Sequence, residues 1–268
     1  MGDEILYRKK NILPVGEIVA KSYAYAWNNR HVLILPVALL LLADLLSAWV
    51  ASRVAEAGTS PGLAALFPTF FAIWLFLLAS MAFAVGIHRR VLLGEARQDL
   101  ALFRFDRRLA SYVWTLVKIS LLLGVICLAL IVPISILQGV TTAVAGQPPS
   151  LDVLLPATWA AVSIDLLFGI RLMLALPGAA VGGMRSIRQS WRMTRGNWGR
   201  LILVFFAVTL PFQMPSLAMM QAHLGQTSWA LIVFNAVLSV VSVPIFTVAL
   251  SLSYEKLAPR ETAQETQI

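Results

Sequence analysis

Four charged residues fall inside apolar stretches of this sequence, where a charge could take part in proton or ion transfer. Asp44 and Asp165 each lie about 18 Å into their stretch at 1.5 Å per residue, which is near the middle of a bilayer. Lys118 and Arg171 lie nearer one side. An unpaired charge at the bilayer centre costs at least about 2.5 kcal/mol. The two acids are explained either by a proton or ion relay or by a polar contact that holds helices in register.

Arg171 follows Asp165 by six residues, which turns it about 240° around a helix. The two side chains therefore do not face each other well. We expect Arg171 to pair with a different helix or to reach the headgroups.

The usual catalytic signatures are missing from the sequence. His31, His88 and His223 have no metal-binding spacing, and Cys127 is the only cysteine, so neither an internal disulfide nor a thiol metal site can form. The sequence has no phosphate-binding glycine loop and no nucleophile elbow. We expect a non-enzymatic protein without a metal or cofactor; an intramembrane enzyme with an Asp44–Asp165 dyad is the catalytic alternative.

The segment from Gly182 to Arg200 has two regular stripes. Its apolar and aromatic stripe consists of Met184, Ile187, Trp191, Thr194 and Trp198, and a row of arginines repeats that spacing one residue later, at Arg185, Arg188, Arg192 and Arg195. On one helix the stripes would run side by side, about 100° apart. This pattern predicts a helix in the membrane interface, with Trp at headgroup depth and Arg at the phosphates. The hypothetical lipid or anion site comprises Arg185, Arg188, Trp191, Arg192, Arg195 and Trp198. The alternative is a plain loop whose arginines only enforce topology.

The composition places these residues in a membrane protein. The chain is 59% hydrophobic and 13% charged with a mean hydropathy of +0.80, whereas soluble proteins carry about 25% charged residues. Six stretches have the ~20 apolar residues that a spanning helix needs: Val32 to Ser52, Leu66 to Ile87, Tyr112 to Leu137, Val153 to Leu176, Leu201 to Met220 and Trp229 to Tyr254. We predict an all-α, polytopic transmembrane bundle of six spans with cytoplasmic interfacial helices. It forms a single membrane domain over 1–268, with an arm at 1–31, a membrane region at 32–254 and a tail at 255–268.

The basic residues predict the orientation of the bundle. Of the 21 lysines and arginines, 18 lie in the N-terminal arm, the second and fourth loops and the tail. The positive-inside rule places these segments, and both termini, in the cytoplasm. The net charge of +8 is therefore explained by topology, and no nucleic-acid partner is expected.

Two further segments resemble surface helices. Val15 to Arg30 and Leu100 to Tyr112 mix apolar or aromatic residues with charges, and each precedes a pair of spans, as does the segment from Gly182 to Arg200. This order suggests three repeats of a surface helix followed by a helical hairpin.

Two short motifs carry a resemblance. Arg171 to Pro177 (RLMLALP) and Ser190 to Asn197 (SWRMTRGN) are similar to a motif of uncharacterised bacterial polytopic membrane proteins, and the stretches His88 to Glu95 and Phe103 to Arg108 resemble their second loop. These proteins are related to the membrane domain beside glycerophosphoryl diester phosphodiesterases and to YciC-like inner-membrane proteins. The resemblance implies a bacterial inner-membrane location and about six helices, but no activity. The matching positions are Arg171, Pro177, Ser190, Trp191, Thr194, Gly196 and Asn197.

The function we expect is that of a scaffold, a lipid-interacting component or an accessory subunit. Membrane phospholipids are the expected partners, together with a membrane protein or a second copy of the chain. The alternative is a small transporter or permease component that uses Asp44 and Asp165. A continuous polar cavity that reaches either acid would favour the transporter.

Overall fold

A computed structural model describes residues 12–56, 63–95, 106–145, 163–164, 166–183, 186–222 and 229–258. Within these residues the chain is helical and forms no strand. The helices are α1 (Val15–Asn28), α2 (Arg30–Glu56), α3 (Leu63–Leu93), α4 (Arg107–Ala145), α5 (Ala175–Val181), α6 (Ile187–Met193), α7 (Trp198–Ala222) and α8 (Trp229–Leu257).

Five of these helices, namely α2, α3, α4, α7 and α8, are long and apolar enough to cross a membrane. They coincide with five of the six predicted spans, so the prediction of a multi-pass, all-α chain is confirmed to that extent. The fourth predicted span begins in residues 153–162, which lie outside the described residues. Its later part belongs to a shorter apolar helical stretch, Leu166–Val181, which ends in α5.

Helices α3 and α8 form the centre of the bundle. One face of α3 places Phe83 and Ile87 against Leu40 of α2 and Val248 of α8, and all four side chains are buried. The adjacent face of α3 places Ala82 and Val85 in a second cluster that α4, α5, α7 and α8 share. By contrast, α4 is the least buried of the five long helices. The apolar side chains that α4 leaves exposed suit contact with lipid.

The described parts of the basic loops lie at one end of this bundle, which we call the basic end. It contains α1, α6, the first turns of α2, α4 and α7, and the last turns of α3 and α8. Hydrogen bonds join these elements: Arg90 of α3 donates to Asn29 before α2 (3.2 Å), and the Leu13 N–H donates to Asn197 before α7 (3.1 Å). The surface segments are therefore fixed to the ends of the long helices.

The chain leaves α5 through a left-handed glycine. Pro177 and Gly178 both lie inside α5, which continues to Val181. Pro177 falls in the first turn of α5, just after a turn at Leu174, where its missing N–H is tolerated. Gly182 adopts φ +85°, and this conformation, which glycine allows, turns the chain towards α6.

The central cluster gives a direct test of the fold. Phe83→Ala removes a fully buried ring between α2, α3 and α8, and such a deletion costs about 3–5 kcal/mol. We expect a matching drop in the free energy of unfolding of the purified protein in mixed micelles. Phe71→Ala, on the same helix but 61% exposed, is the control and should change stability little. Equal losses in the two variants would contradict this arrangement.

Candidate functional site at the basic end

Arg171 binds α6 through both its side chain and its backbone. Its Nε donates to Thr194 Oγ1 and its Nη2 donates to the Trp191 carbonyl, each at 3.1 Å. The Ser190 hydroxyl donates in turn to the Arg171 carbonyl at 2.7 Å. Ser190 and Thr194 are fully buried. We call Arg171, Ser190, Trp191 and Thr194 the Arg171 cluster.

The indole of Trp191 completes this cluster. The Arg171 guanidinium carbon lies 3.4 Å from the centroid of the Trp191 ring, a close cation–π contact. Phe168, one turn before Arg171, stacks on the same indole with ring centroids 5.4 Å apart. These partners of Arg171 belong to α6 and to the turn that follows it, and those among the described residues are neutral groups.

The turn after α6 connects the cluster to the N-terminal arm. Gly196 adopts φ +87°, which favours glycine, and the chain enters α7 two residues later. Asn197 Oδ1 accepts the Leu13 N–H, and Arg200 Nη1 donates to the Leu13 carbonyl at 3.1 Å. The backbone N–H and C=O groups of buried Leu13 are thus both hydrogen-bonded to residues at the start of α7. The sequence did not predict the contact between Leu13 and Arg200, because the residues around each position give no sign of a partner so far along the chain.

The predicted single helix over Gly182 to Arg200 is wrong in its extent. Helix α6 spans only seven residues, and Trp198 opens α7 with 49% exposure. Ile187 and Trp191 pack against the protein core, with Thr194 buried beside them. The turn at residues 194–197 breaks the predicted stripe before Trp198, so the apolar side of α6 faces the bundle.

The arginines of this segment lie on the opposite side. Arg188, Arg192 and Arg195 are all exposed, and we call these three the guanidinium row. Arg185 lies outside the described residues. Since the buried side of α6 is fixed by the Arg171 cluster, the row is held on the outer surface of the basic end.

The other predicted surface helices also differ from expectation. In α1, Ile18 is buried, and Val15, Val19 and Tyr23 pack on the core, so its apolar face contacts the bundle. Among the apolar and aromatic residues on this face of α1, only Trp27 is strongly exposed, at 69%. On the polar face, the hydrogen bond from Lys21 lowers the pKa of the Glu17 carboxyl.

The segment predicted from Leu100 to Tyr112 is described only from residue 106 onwards. From Arg107 it is the first turn of α4, continuous with the span. Leu109 and Tyr112 are buried there in the main core. The described residues therefore contain no separate surface helix at this position, because the two residues pack between long helices.

The remaining intramembrane charges do not come together in the described residues. Asp44 lies on the side of α2 that also carries buried Leu40 and Ser47, and it makes no ion pair with any described residue. Lys118 is partly exposed on α4 and likewise has no ion-pair partner in the described part of the chain. Asp165 lies outside the described residues, so the proposed pairing of the two acids stays a prediction.

Two polar contacts of α3 were not foreseen from the sequence. His88 is fully buried, and its Nδ1 lies 2.7 Å from Ser251 Oγ of α8. Its neighbour Arg89, also buried, forms an ion pair with Glu95 and a longer one of 3.5 Å with Asp106. Asp106 Oδ1 accepts the N–H groups of Arg108 and Leu109 and so caps α4. These contacts tie the last turn of α3 to α4 and α8.

An enclosed cavity lies between the helices near the Arg171 cluster. Residues such as Ile170, Phe205, Phe246 and Leu250 line it, and its volume of about 10 Å³ is roughly what one water molecule needs. Asp44 is not among its lining residues. The described residues hold no group of three or more His, Cys, Asp or Glu side chains that could bind a metal. The arrangement is suited to holding helices and presenting cations.

Thr194→Val tests the Arg171 cluster. The substitution keeps the size of the side chain but removes the acceptor of Arg171 Nε, and an unsatisfied charged donor costs about 1–3 kcal/mol. We expect faster amide hydrogen exchange in residues 187–193, measured by mass spectrometry in nanodiscs, and a lower melting temperature. Arg188→Gln, on the exposed side of the same helix, should change neither. Unaltered exchange in Thr194→Val would show that the cluster does not hold α6.

Comparison of the chain with protein-family models, with curated proteins and with solved structures finds no match.

Proposed function

We propose that this chain is a non-enzymatic, multi-pass protein of the bacterial inner membrane that binds anionic phospholipid headgroups at its basic end. It would act there as a scaffold or as an accessory component for another membrane protein or a second copy of itself. The observation that carries the proposal is the guanidinium row, three exposed arginines on α6 and the turn after it, a segment that the Arg171 cluster anchors to the bundle.

The geometry of α6 supports this proposal. Arg188 and Arg192 are four residues apart on α6, so their side chains leave one side of the helix, and exposed Arg195 follows in the next turn. Guanidinium groups match phosphate oxygens in a planar, bidentate geometry. A row that is fixed before a lipid arrives loses less conformational entropy on binding than a free loop would.

The distribution of charge supports the proposed orientation. Exposed Arg30, Arg107 and Lys256 lie at the same end as the guanidinium row. The positive-inside rule places such an end in the cytoplasm, where the leaflet surface carries negative potential. Exposed Trp27 and Trp198 lie at this end, and tryptophan favours the boundary between headgroups and acyl chains. The resemblance to bacterial inner-membrane proteins agrees with this location.

A transporter that uses Asp44 and Asp165 is the alternative proposal. It would need a polar path to one of the acids. The enclosed cavity described above is apolar and does not include Asp44. The exposed guanidinium row, by contrast, is a described feature that favours the lipid-binding role.

The lipid proposal is tested by neutralising the guanidinium row. We expect the triple variant Arg188→Gln, Arg192→Gln, Arg195→Gln to retain at least about tenfold less phosphatidylglycerol than the unmodified chain, since each surface arginine contributes about 1 kcal/mol. Retained lipid is counted by native mass spectrometry of the purified protein after exchange into phosphatidylglycerol-containing micelles. The expected loss should be greatest at low ionic strength, because salt screens exposed charges.

A matched control removes the same number of charges elsewhere at the basic end. The variant Lys21→Gln, Arg30→Gln, Lys256→Gln changes three exposed cations outside α6 and should keep most of the bound lipid. If the two triple variants lose equal amounts of bound lipid, the loss follows from net charge alone, and a specific site on α6 is rejected. Full retention in the α6 variant would reject lipid binding there altogether.

A further inference from the structure

A second surface feature at the basic end combines an apolar groove with charges of both signs. The groove lies between α3 and α4 and has a volume of about 360 Å³. Its lining residues are Leu78, Asp106, Leu109, Ala110, Val113 and Trp114. From Asp106 to Trp114 it follows α4 for about 12 Å, at 1.5 Å per residue.

The walls of the groove are exposed on the outer surface of the bundle. Trp114 is 62% exposed and Leu78 is 38% exposed, whereas Leu109 is buried and forms the floor. Both α3 and α4 are long and apolar enough to span the membrane. The surroundings of this groove in a bilayer are therefore acyl chains, and an apolar chain is the occupant that fits its sides.

The mouth of the groove is charged at the first turn of α4. Asp106 lines it, and Arg107, which follows directly in the sequence, is exposed. Arg89 and Glu95 add a further pair of opposite charges beside Asp106. The guanidinium row of α6 carries only positive charge, whereas this mouth alternates in sign.

We propose that the groove is a binding site for one zwitterionic phospholipid with a phosphoethanolamine headgroup. One acyl chain lies along Leu109, Val113 and Trp114, with Leu78 on the opposite wall. The phosphate is bound by exposed Arg107, and the ammonium group faces the carboxylate side of the mouth at Asp106. This site differs from the anionic lipid site on α6 in its helices and in the charge of its headgroup.

The test uses the full chain in nanodiscs and a phosphatidylethanolamine probe with a photoactivatable diazirine on one acyl chain. Ala110→Trp fills the groove from an exposed position, while Ala129→Trp adds the same ring to an exposed position on α4 outside it. We expect cross-links at the peptide that contains residues 109–114 in the unmodified chain and in Ala129→Trp. In Ala110→Trp the yield should fall at least fivefold.

Two further arms separate this site from the one on α6. A phosphatidylglycerol probe with the same diazirine should label the groove several times more weakly than the phosphatidylethanolamine probe. The triple Gln variant of the guanidinium row should leave the groove label unchanged, so this inference can fail or survive independently of the proposed function. Equal labelling in both Trp variants, equal labelling by both lipids, or labels spread evenly over the exposed helices would overturn the proposal.

Discussion

The contact between Arg171 and α6 fixes the arrangement of the basic end. A guanidinium that emerges from an apolar helix must keep its hydrogen bonds, because an unsatisfied charged donor is costly away from water. Thr194 and the Trp191 carbonyl meet this need, and the indole covers the guanidinium plane. The contact sets where α6 lies. It therefore also sets the turn that follows, the start of α7, and through Asn197 and Arg200 the position of Leu13.

Within the described part of the chain the partners of Arg171 are neutral, and this has an electrostatic consequence. A carboxylate in their place would cancel the charge and leave the end of the bundle less basic. Hydroxyl, carbonyl and ring partners satisfy the hydrogen bonds but leave the positive charge in place. Arg188, Arg192 and Arg195 then add like charges on the same short segment. An external anion would stabilise such an assembly, and this is the physical basis of the headgroup binding that we propose.

Local patterns predicted the parts of the fold that are locally determined. Apolar length located five long helices, because each must satisfy its backbone within itself. The arginine spacing also identified the exposed side of α6. Pattern could not show that α6 ends before Trp198, since that end depends on Gly196 and on the tertiary bonds of Thr194 and Asn197. The contact between Leu13 and Asn197 joins residues 184 positions apart, and a local sequence pattern cannot predict such a contact.

The amphipathic segments α1 and α6 show that periodicity alone does not predict whether an apolar face contacts lipid or protein. The apolar sides of α1 and α6 meet the bundle, and the same stripe of residues would equally suit a membrane surface. The difference lies in the buried polar groups: Ser190 and Thr194 on α6 need specific acceptors and donors, which acyl chains do not offer. A small polar residue inside an apolar stripe therefore favours docking on protein. For the lipid binding that we propose, the contacts of α6 would come from its charged side, so headgroup charge would matter more than insertion depth.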